Sequence, residues 1–231
     1  VKRPYSIRVV QYNIGDGPDH IKLGELEDLL KEDNPQVFFL DETADRLKVI
    51  KAFCSLHPEF DYWMGDGRPG AAKTTIVYLK SLGKVTGKYS ETLVGKRRLA
   101  KGAGPENASP KVENRIRIRT PEGKRLHLIV AHQYATVVKR RVAARLFLRA
   151  LVNVVKRRFG IVIFAGDMNQ DPLAKMHKAL RKVLPFFTNK FSTWGKRVID
   201  VIWVNRKARI VKYWTEQYTS DHRAVVADII Y

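Results

Sequence analysis

Short segments in which apolar and polar positions alternate, or apolar ones run unbroken, recur along the chain. They are Ile7–Tyr12, Val37–Leu40, Thr75–Leu79, Leu126–Ala131, Ile161–Ala165, Val198–Val204 and Ala224–Ile229. A period of two, or a short apolar run closed by Gly, Pro, Asn or Asp, predicts a β-strand. Between these segments the period lengthens to that of a helix in Ile21–Lys31, Asp45–Phe53, Val138–Arg158 and Leu173–Val183. The alternation of the two patterns predicts an α/β protein. No segment repeats at a fixed spacing.

In the third helical segment Ala143, Leu146, Phe147, Ala150, Leu151 and Val154 share one face, while Arg141, Arg145 and Arg149 stack on another. That arginine stripe is read as the solvated back of a surface helix rather than as a phosphate-binding row. The stretch from Gly95 to Arg115 has no apolar period and is rich in Gly, Pro, Lys and Arg. It is expected to be a long loop, either tracking a phosphate backbone or simply joining two strands.

A length of 231 residues fits one catalytic domain spanning 1–231, and 45% hydrophobic content suffices for a large core. No apolar run approaches the roughly 20 residues of a membrane-spanning helix, so no stable membrane insertion is expected. The opening VKRPYSIRVVQYNIG has no signal-peptide pattern, which points to a cytoplasmic protein. Cys54 is the single cysteine, which excludes an intrachain disulfide and a cysteine-held zinc. Against 23 Asp and Glu stand 43 Lys and Arg, a net charge of +20. Such a field draws in polyanions. Nucleic acid is the first partner it suggests and an anionic membrane surface the second; a monomer is expected.

Gly65 to Gly70 match a G-x-G-x-x-G pattern, but Pro69 and the strand pattern after it replace the helix that a dinucleotide site requires. A plain turn is the better reading. The informative residues stand just beyond the ends of apolar strands, where a core can hold them rigidly yet leave them open to substrate. They are Asn13 after VVQY, Asp41 and Glu42 after VFFL, His132 after LIVA, Asp167 and Asn169 after IVIFAG, Asp200 within VIDVIWV, and Asp221 and His222 before RAVVADI. A single strand-end Asn or His more often makes a turn than does chemistry. The ordered set carries the signal. With AGDMN, VID and SDHRAV as its most specific pieces, the chain resembles the endonuclease/exonuclease/phosphatase superfamily from about Ile7 to Ile229.

The resemblance implies a four-layer α/β/β/α sandwich, two mixed sheets face to face with helices outside, and an active site at one rim. A phosphodiester repels nucleophiles, so its hydrolysis needs charge neutralisation, an activated water and help for the leaving oxygen. Glu42 is a hard oxygen ligand suited to Mg2+ or Mn2+. By similarity to the family, Asn13 and Asp221 would join it. His222 is expected to act as base or to polarise the phosphate, oriented by Asp200 as the resemblance implies. Asp167 and Asn169 look like the family's pair that positions water and a phosphate oxygen, and His132 would stabilise charge on the phosphate.

Two features depart from the family pattern. Asp41 stands where Gln usually precedes the metal-binding Glu, and Gln133-Tyr134 follow His132 where a small or apolar residue is common. His132 itself resembles the deoxyribonuclease and phosphatase branches rather than the branch specialised for abasic sites. Arg115 and Arg117, on the strand VENRIRIR, and Lys73 are taken as phosphate contacts; His20, His57, His127 and His177 are taken as structural or surface residues. The sequence thus predicts a metal-dependent nuclease acting most readily on DNA. The same fold acting on a phosphoinositide or similar headgroup is the alternative, and a binding module that has lost catalysis is a third reading.

Overall fold

The computed structural model describes residues 5–15, 17–66, 73–94, 111–133 and 141–231. Two sheets of six strands carry them. In chain order the elements are β1 (Ser6–Asn13), α1 (Asp19–Asp33), β2 (Val37–Asp41), α2 (Leu47–Leu56), β3 (Phe60–Trp63), β4 (Thr74–Leu79), β5 (Lys84–Val94), β6 (Lys111–Arg119), β7 (Arg125–Ala131), α3 (Arg141–Lys156), β8 (Ile161–Asp167), α4 (Lys178–Val183), β9 (Phe186–Phe187), β10 (Asp200–Val204), β11 (Arg209–Gln217) and β12 (Arg223–Ile230). The first sheet runs β11-β12-β1-β2-β4-β3 and the second β5-β6-β7-β8-β10-β9. Both are mixed, with β1 parallel to β2 and β7 parallel to β8.

Side chains of successive strand residues point to opposite faces, and here both faces are covered. Ile7, Val9, Val37, Phe39 and Ile76 meet Ile116, Leu128, Ile163 and Ile202 between the sheets. The alternate positions Val10, Tyr12, Phe38 and Leu40 pack outward against Leu26, Leu29, Val49 and Phe53 of α1 and α2. On the second sheet Ile129, Val162, Phe164 and Trp203 face outward to Phe147, Leu151 and Val154 of α3 and Leu180 of α4. This double burial explains why VFFL and IVIF are unbroken apolar runs. The result is the expected α/β/β/α sandwich. Among the described residues, no helix is long and apolar enough to cross a membrane.

Several expected boundaries move. The second helix is Leu47–Leu56 rather than Asp45–Phe53, and β10 starts at Asp200 rather than Val198. Of Leu173–Val183 only Lys178–Val183 is α-helical, behind a 3-10 turn at Lys175–His177. The end of the expected loop, Lys111–Arg115, is strand throughout, so that VENRIRIR begins one residue earlier at Lys111, because β6 pairs with β7 as far as Glu113↔Ala131 and with β5 as far as Lys111↔Val94. The rest of the Gly95–Arg115 stretch, the Gly67–Gly70 part of the glycine pattern and residues 138–140 lie outside the described residues.

Two connections deliver the chemistry to one rim. Because β1 and β2 are parallel and in register, Asn13 and Asp41 end side by side. Because β10 runs antiparallel to β8, Asp200 opens opposite the closing Asp167. Gly166, just before Asp167, has φ of 154°, and a Cβ there would collide with the Ala131 carbonyl of β7. The glycine in AGDMN is therefore required by close approach of two backbones. Gly166→Ala is expected to lower the unfolding free energy by about 2 kcal/mol or more, read from urea denaturation. An unchanged midpoint would show that the β7–β8 approach tolerates a side chain.

Candidate functional site

The site is the polar end of the apolar seam between the sheets. Ile7, Val9 and Val37, Phe39 continue at period two into Gln11, Asn13 and Asp41; Ile161, Ile163, Ala165 continue into Asp167; and Ile202 is preceded by Asp200. All five polar residues are buried. They bond to one another across the seam, leaving Gln11 Oε1 and Asp41 Oδ1 without a partner. The Asp41 carboxylate Oδ2 accepts from the Asp167 backbone N at 2.6 Å and from Gln11 Nε2 at 3.0 Å. The same Nε2 reaches Asp200 Oδ1 at 3.2 Å. One carboxamide thus bridges two carboxylates that belong to different sheets.

Asp200 Oδ2 lies 2.7 Å from His222 Nδ1. The imidazole is thereby turned so that Nε2 stands 4.0 Å from Asp167 Oδ2 and 3.8 Å from Asp221 Oδ1. Asp167 is fixed in turn: the Asn169 backbone N donates to Oδ1 at 2.7 Å, and Asn13 Nδ2 to Oδ2 at 3.4 Å. His132 Nε2 lies 3.5 Å from Asp167 Oδ2 and 3.0 Å from Asn169 Nδ2. The structure therefore gathers Asn13, His132, Asp167, Asn169, Asp200 and His222 as the sequence predicts.

Burial pushes the Asp41 carboxyl up to about 7, with the charge of Asp200 adding to it. Asp167 rises well above the usual carboxylate range, first through burial and then through Asp200. Burial alone would lower His222, but its hydrogen bond to Asp200 and the charges of Asp200, Asp167 and Asp221 outweigh it and raise the imidazole to about 9. His132 goes the other way, well below its ordinary value, through burial and the nearby Lys111, His222 and Lys73. The two histidines are thus separated in charge state by their surroundings.

Glu42 is exposed and adopts φ of 58°, and Asn169 has φ of 50°. Left-handed backbone is unfavourable for a residue such as Glu, and its occurrence directly after a rigid strand is the pattern of a functional position. Gly15 supplies a test of metal fit. A Cβ built there would lie 3.5 Å from Asn13 Oδ1 and 3.7 Å from Glu42 Oε2, with Ser220 Oγ also at 3.5 Å. These hard oxygens border one small space that a side chain would fill, a donor set that suits Mg2+ or Mn2+. Asp167, Asp200 and His222 also offer atoms within 4.8 Å of one another.

Other expected residues sit differently. Asp221 has a largely exposed side chain, and its Oδ2 accepts from Trp194 Nε1 at 2.8 Å. Arg115 corrects the expectation of a phosphate contact. It is buried, bonded to Glu113 Oε1 at 2.8 Å and stacked over Tyr89 at 4.7 Å. In register it is level with Ile129 and Phe164, three residues short of Asp167. Arg117 is likewise tied to Thr86. The ammonium group that does face the carboxylates is Lys111, four residues nearer the rim, lowered to about 8 by burial and Lys73 against the pull of Asp167, Asp41 and Glu42. The backbone carbonyl of Lys73 accepts from the Thr43 amide, and its charge acts on Lys111 and His132.

Sequence reasoning missed three residues of this site. Gln11 was detectable as a polar residue interrupting the inward-facing row of β1 before its end at Asn13. Lys111 was hidden by its assignment to a loop. Trp194 is half-exposed, its ring 6.4 Å from that of His222, with the Arg197 guanidinium over it at 5.5 Å. Arg197 also donates to the Asn169 carbonyl at 2.9 Å, closing the rim.

No protein-family model matches the sequence, and no curated protein is significantly similar to it. Solved structures are similar in fold. An endonuclease/exonuclease/phosphatase protein from Bacteroides vulgatus superposes with a TM-score of 0.76 at 16% identity, covering 97% of this chain and 98% of that one. TDP2 from D. rerio, complexed with a single-strand DNA product, gives 0.74 at 16% identity, with 97% and 98% covered. A mannosyl-6-phosphatase from Bacteroides thetaiotaomicron gives 0.72 at 16% identity, with 97% and 100% covered. The chain has the endonuclease/exonuclease/phosphatase fold.

The Asp200–His222 pair generates a prediction for the metal-free protein. NMR should show the His222 imidazole titrating near 9, and Asp200→Asn should lower it, because the hydrogen bond and charge that most strongly oppose burial are then gone while Asp167 and Asp221 still pull upward. A folded value above the unfolded one means stability that is full below pH 6.5 and is lost as pH rises through about 9. The stability gap between wild type and Asp200→Asn should shrink over that window. A His222 titration that does not move in the variant would remove Asp200 as its cause.

Proposed function

We propose that this chain, with the endonuclease/exonuclease/phosphatase fold, is a divalent-metal-dependent phosphodiesterase that hydrolyses nucleic acid, DNA foremost, as an endonuclease. The observation that carries the chemistry is His222, held by Asp200 at 2.7 Å with its free Nε2 turned toward Asp167. A phosphate at this rim receives a donor from His222, and the Asp167 carboxylate, fixed by Asn169 and Asn13, stands where it can take a proton from an attacking water. His132, kept neutral beside Asn169, and Lys111 and Lys73 face the same phosphate and offset its charge. Glu42 and Asn13 would hold Mg2+ or Mn2+, which supplies neutralisation of the phosphoryl and leaving oxygens when bound. The exposed Asp221, with Oδ2 on Trp194 Nε1 and Oδ1 3.8 Å from His222 Nε2, would join them.

The net charge of +20 and the rim aromatic support nucleic acid as the substrate. Trp194 beside His222, with Arg197 stacked on it, offers a face on which a base next to the scissile phosphate can lie. The mannosyl-6-phosphatase of the same fold keeps a small phosphoester as the competing reading.

Glu42→Gln should weaken Mg2+ or Mn2+ binding and activity together, with the fold intact by circular dichroism. Unchanged metal binding by calorimetry would remove Glu42 from the metal site. His222→Ala should lose roughly 10^2 to 10^4 in kcat. The substrate is decided by rate: DNA or RNA cleaved at least as efficiently as inositol and sugar phosphates supports the nuclease. Release of inorganic phosphate from the small esters, with nucleic acid left intact, overturns it.

A further inference from the structure

Beside the rim a cavity of about 750 Å³ lies between α3 and the segment that runs from β8 to α4. Arg145, Arg149 and Lys175 stand around it, Leu148 and Val152 form an apolar floor, and Gln170 closes one end. The three cationic side chains are exposed. The Gln170 Oε1 is buried without a hydrogen-bond partner. Gln170 directly follows Asn169, whose side chain touches His132.

Topology fixes the direction of the groove. β7 and β8 are parallel and both end at the rim, so α3 between them must run back away from it. Arg145 is therefore nearer the site than Arg149, and the two form a row one helical turn apart that leads away from Asn169. Arg145 and Arg149 thus form a track whose first member is the one toward the rim. The sequence alone could not distinguish this from a solvated helix face.

We propose that this groove binds the strand leaving the active site, as single-stranded nucleic acid, with Arg145, Arg149 and Lys175 on successive backbone phosphates and the apolar floor under sugars and bases. The proposal rests on the nucleic-acid reading of the site and assigns that site a strand preference. Charge complementarity selects a polyanion, and a cavity with an apolar floor selects one whose bases are free to turn inward. A duplex, with its bases stacked inside, presents only phosphates and leaves the floor uncovered.

The test is Arg145→Ala/Arg149→Ala in the full chain with Mg2+ or Mn2+ present. Two substrates are compared: a single-stranded oligonucleotide of about 20 nucleotides, and bis(p-nitrophenyl) phosphate, which is too small to reach the groove. The variant should lose tenfold or more in kcat/KM on the oligonucleotide, chiefly through KM. Its salt slope should fall by about 0.7 for each phosphate contact removed. Hydrolysis of bis(p-nitrophenyl) phosphate should stay at the wild-type rate, and duplex cleavage should fall less than single-strand cleavage. An oligonucleotide KM and salt slope equal to wild type would overturn the groove while leaving the nuclease intact. A wild-type protein that neither binds nor cleaves the oligonucleotide would overturn the underlying reading instead. Equal losses on both nucleic acids would overturn the single-strand preference.

Discussion

Burying three aspartates together is the constraint around which the rest is arranged. Asp41, Asp167 and Asp200 end up at the same point because each is the rim-end inward position of a strand whose other inward positions are apolar core. Like charges so placed are unfavourable unless bridged, protonated or met by cations. Each remedy is present. Gln11 donates to two of them, the Asp167 amide donates to Asp41, His222 takes up Asp200, and Lys111 faces the group from β6. The same excess of negative charge lifts His222 to about 9 and makes the mouth beside Glu42 attractive to a divalent ion. Asp41 belongs to this scaffold rather than to the surface: its carboxylate ties the end of β2 to the end of β8, one strand from each sheet.

The legibility of the fold followed solvent exposure. The strands that the apolar pattern revealed lie inside the two sheets, as does β6, legible only as the charged alternation VENRIRIR, and those that went unread, β3, β5, β9 and β11, are the four sheet edges. Edge strands are short, polar or bulged, which protects them from pairing with other chains. β11 is half-exposed along its length and shifts register between Ile210 and Lys212; β5 shifts twice, at Val85/Gly87 and Thr92/Val94. Neither keeps the period of two on which sequence reasoning depends. The same logic explains the site. Asn13, Asp167, Asp200 and His222 were legible because a polar residue after an unbroken apolar run is conspicuous. Arg115 misled because charge type is visible in a sequence and depth along a strand is not: the pairing with Glu113 and the stacking on Tyr89 are properties of register.

The fold leaves the substrate open, since structures of similar shape include both a protein holding a DNA product and a sugar phosphatase. Groups that could select a substrate lie around the cluster. Trp194 and Arg197 frame His222 on one side, and Arg145 and Arg149 extend from Asn169 on the other. Both belong to segments outside the two sheets, where sequence can vary without disturbing the carboxylates.

The position of β12 has a consequence for the order in which the molecule is made. Near the C-terminal end of the chain, it nevertheless sits inside the first sheet, between β11 and β1, pairing Gln11 with Val225. Until those residues have left the ribosome, β1 has an open edge and the seam lacks Val225, Ala227 and Ile229. The nascent chain meanwhile displays Glu42 and Asp167 without His222. Contacts that span more than 200 residues, such as Ser220 Oγ donating to the Asn13 carbonyl across a separation of 207, form late because chain closure precedes any gain from them. Docking of His222 onto Asp200 is therefore coupled to the arrival of β12, and a chain made only as far as β11 carries the carboxylates without the imidazole that they orient.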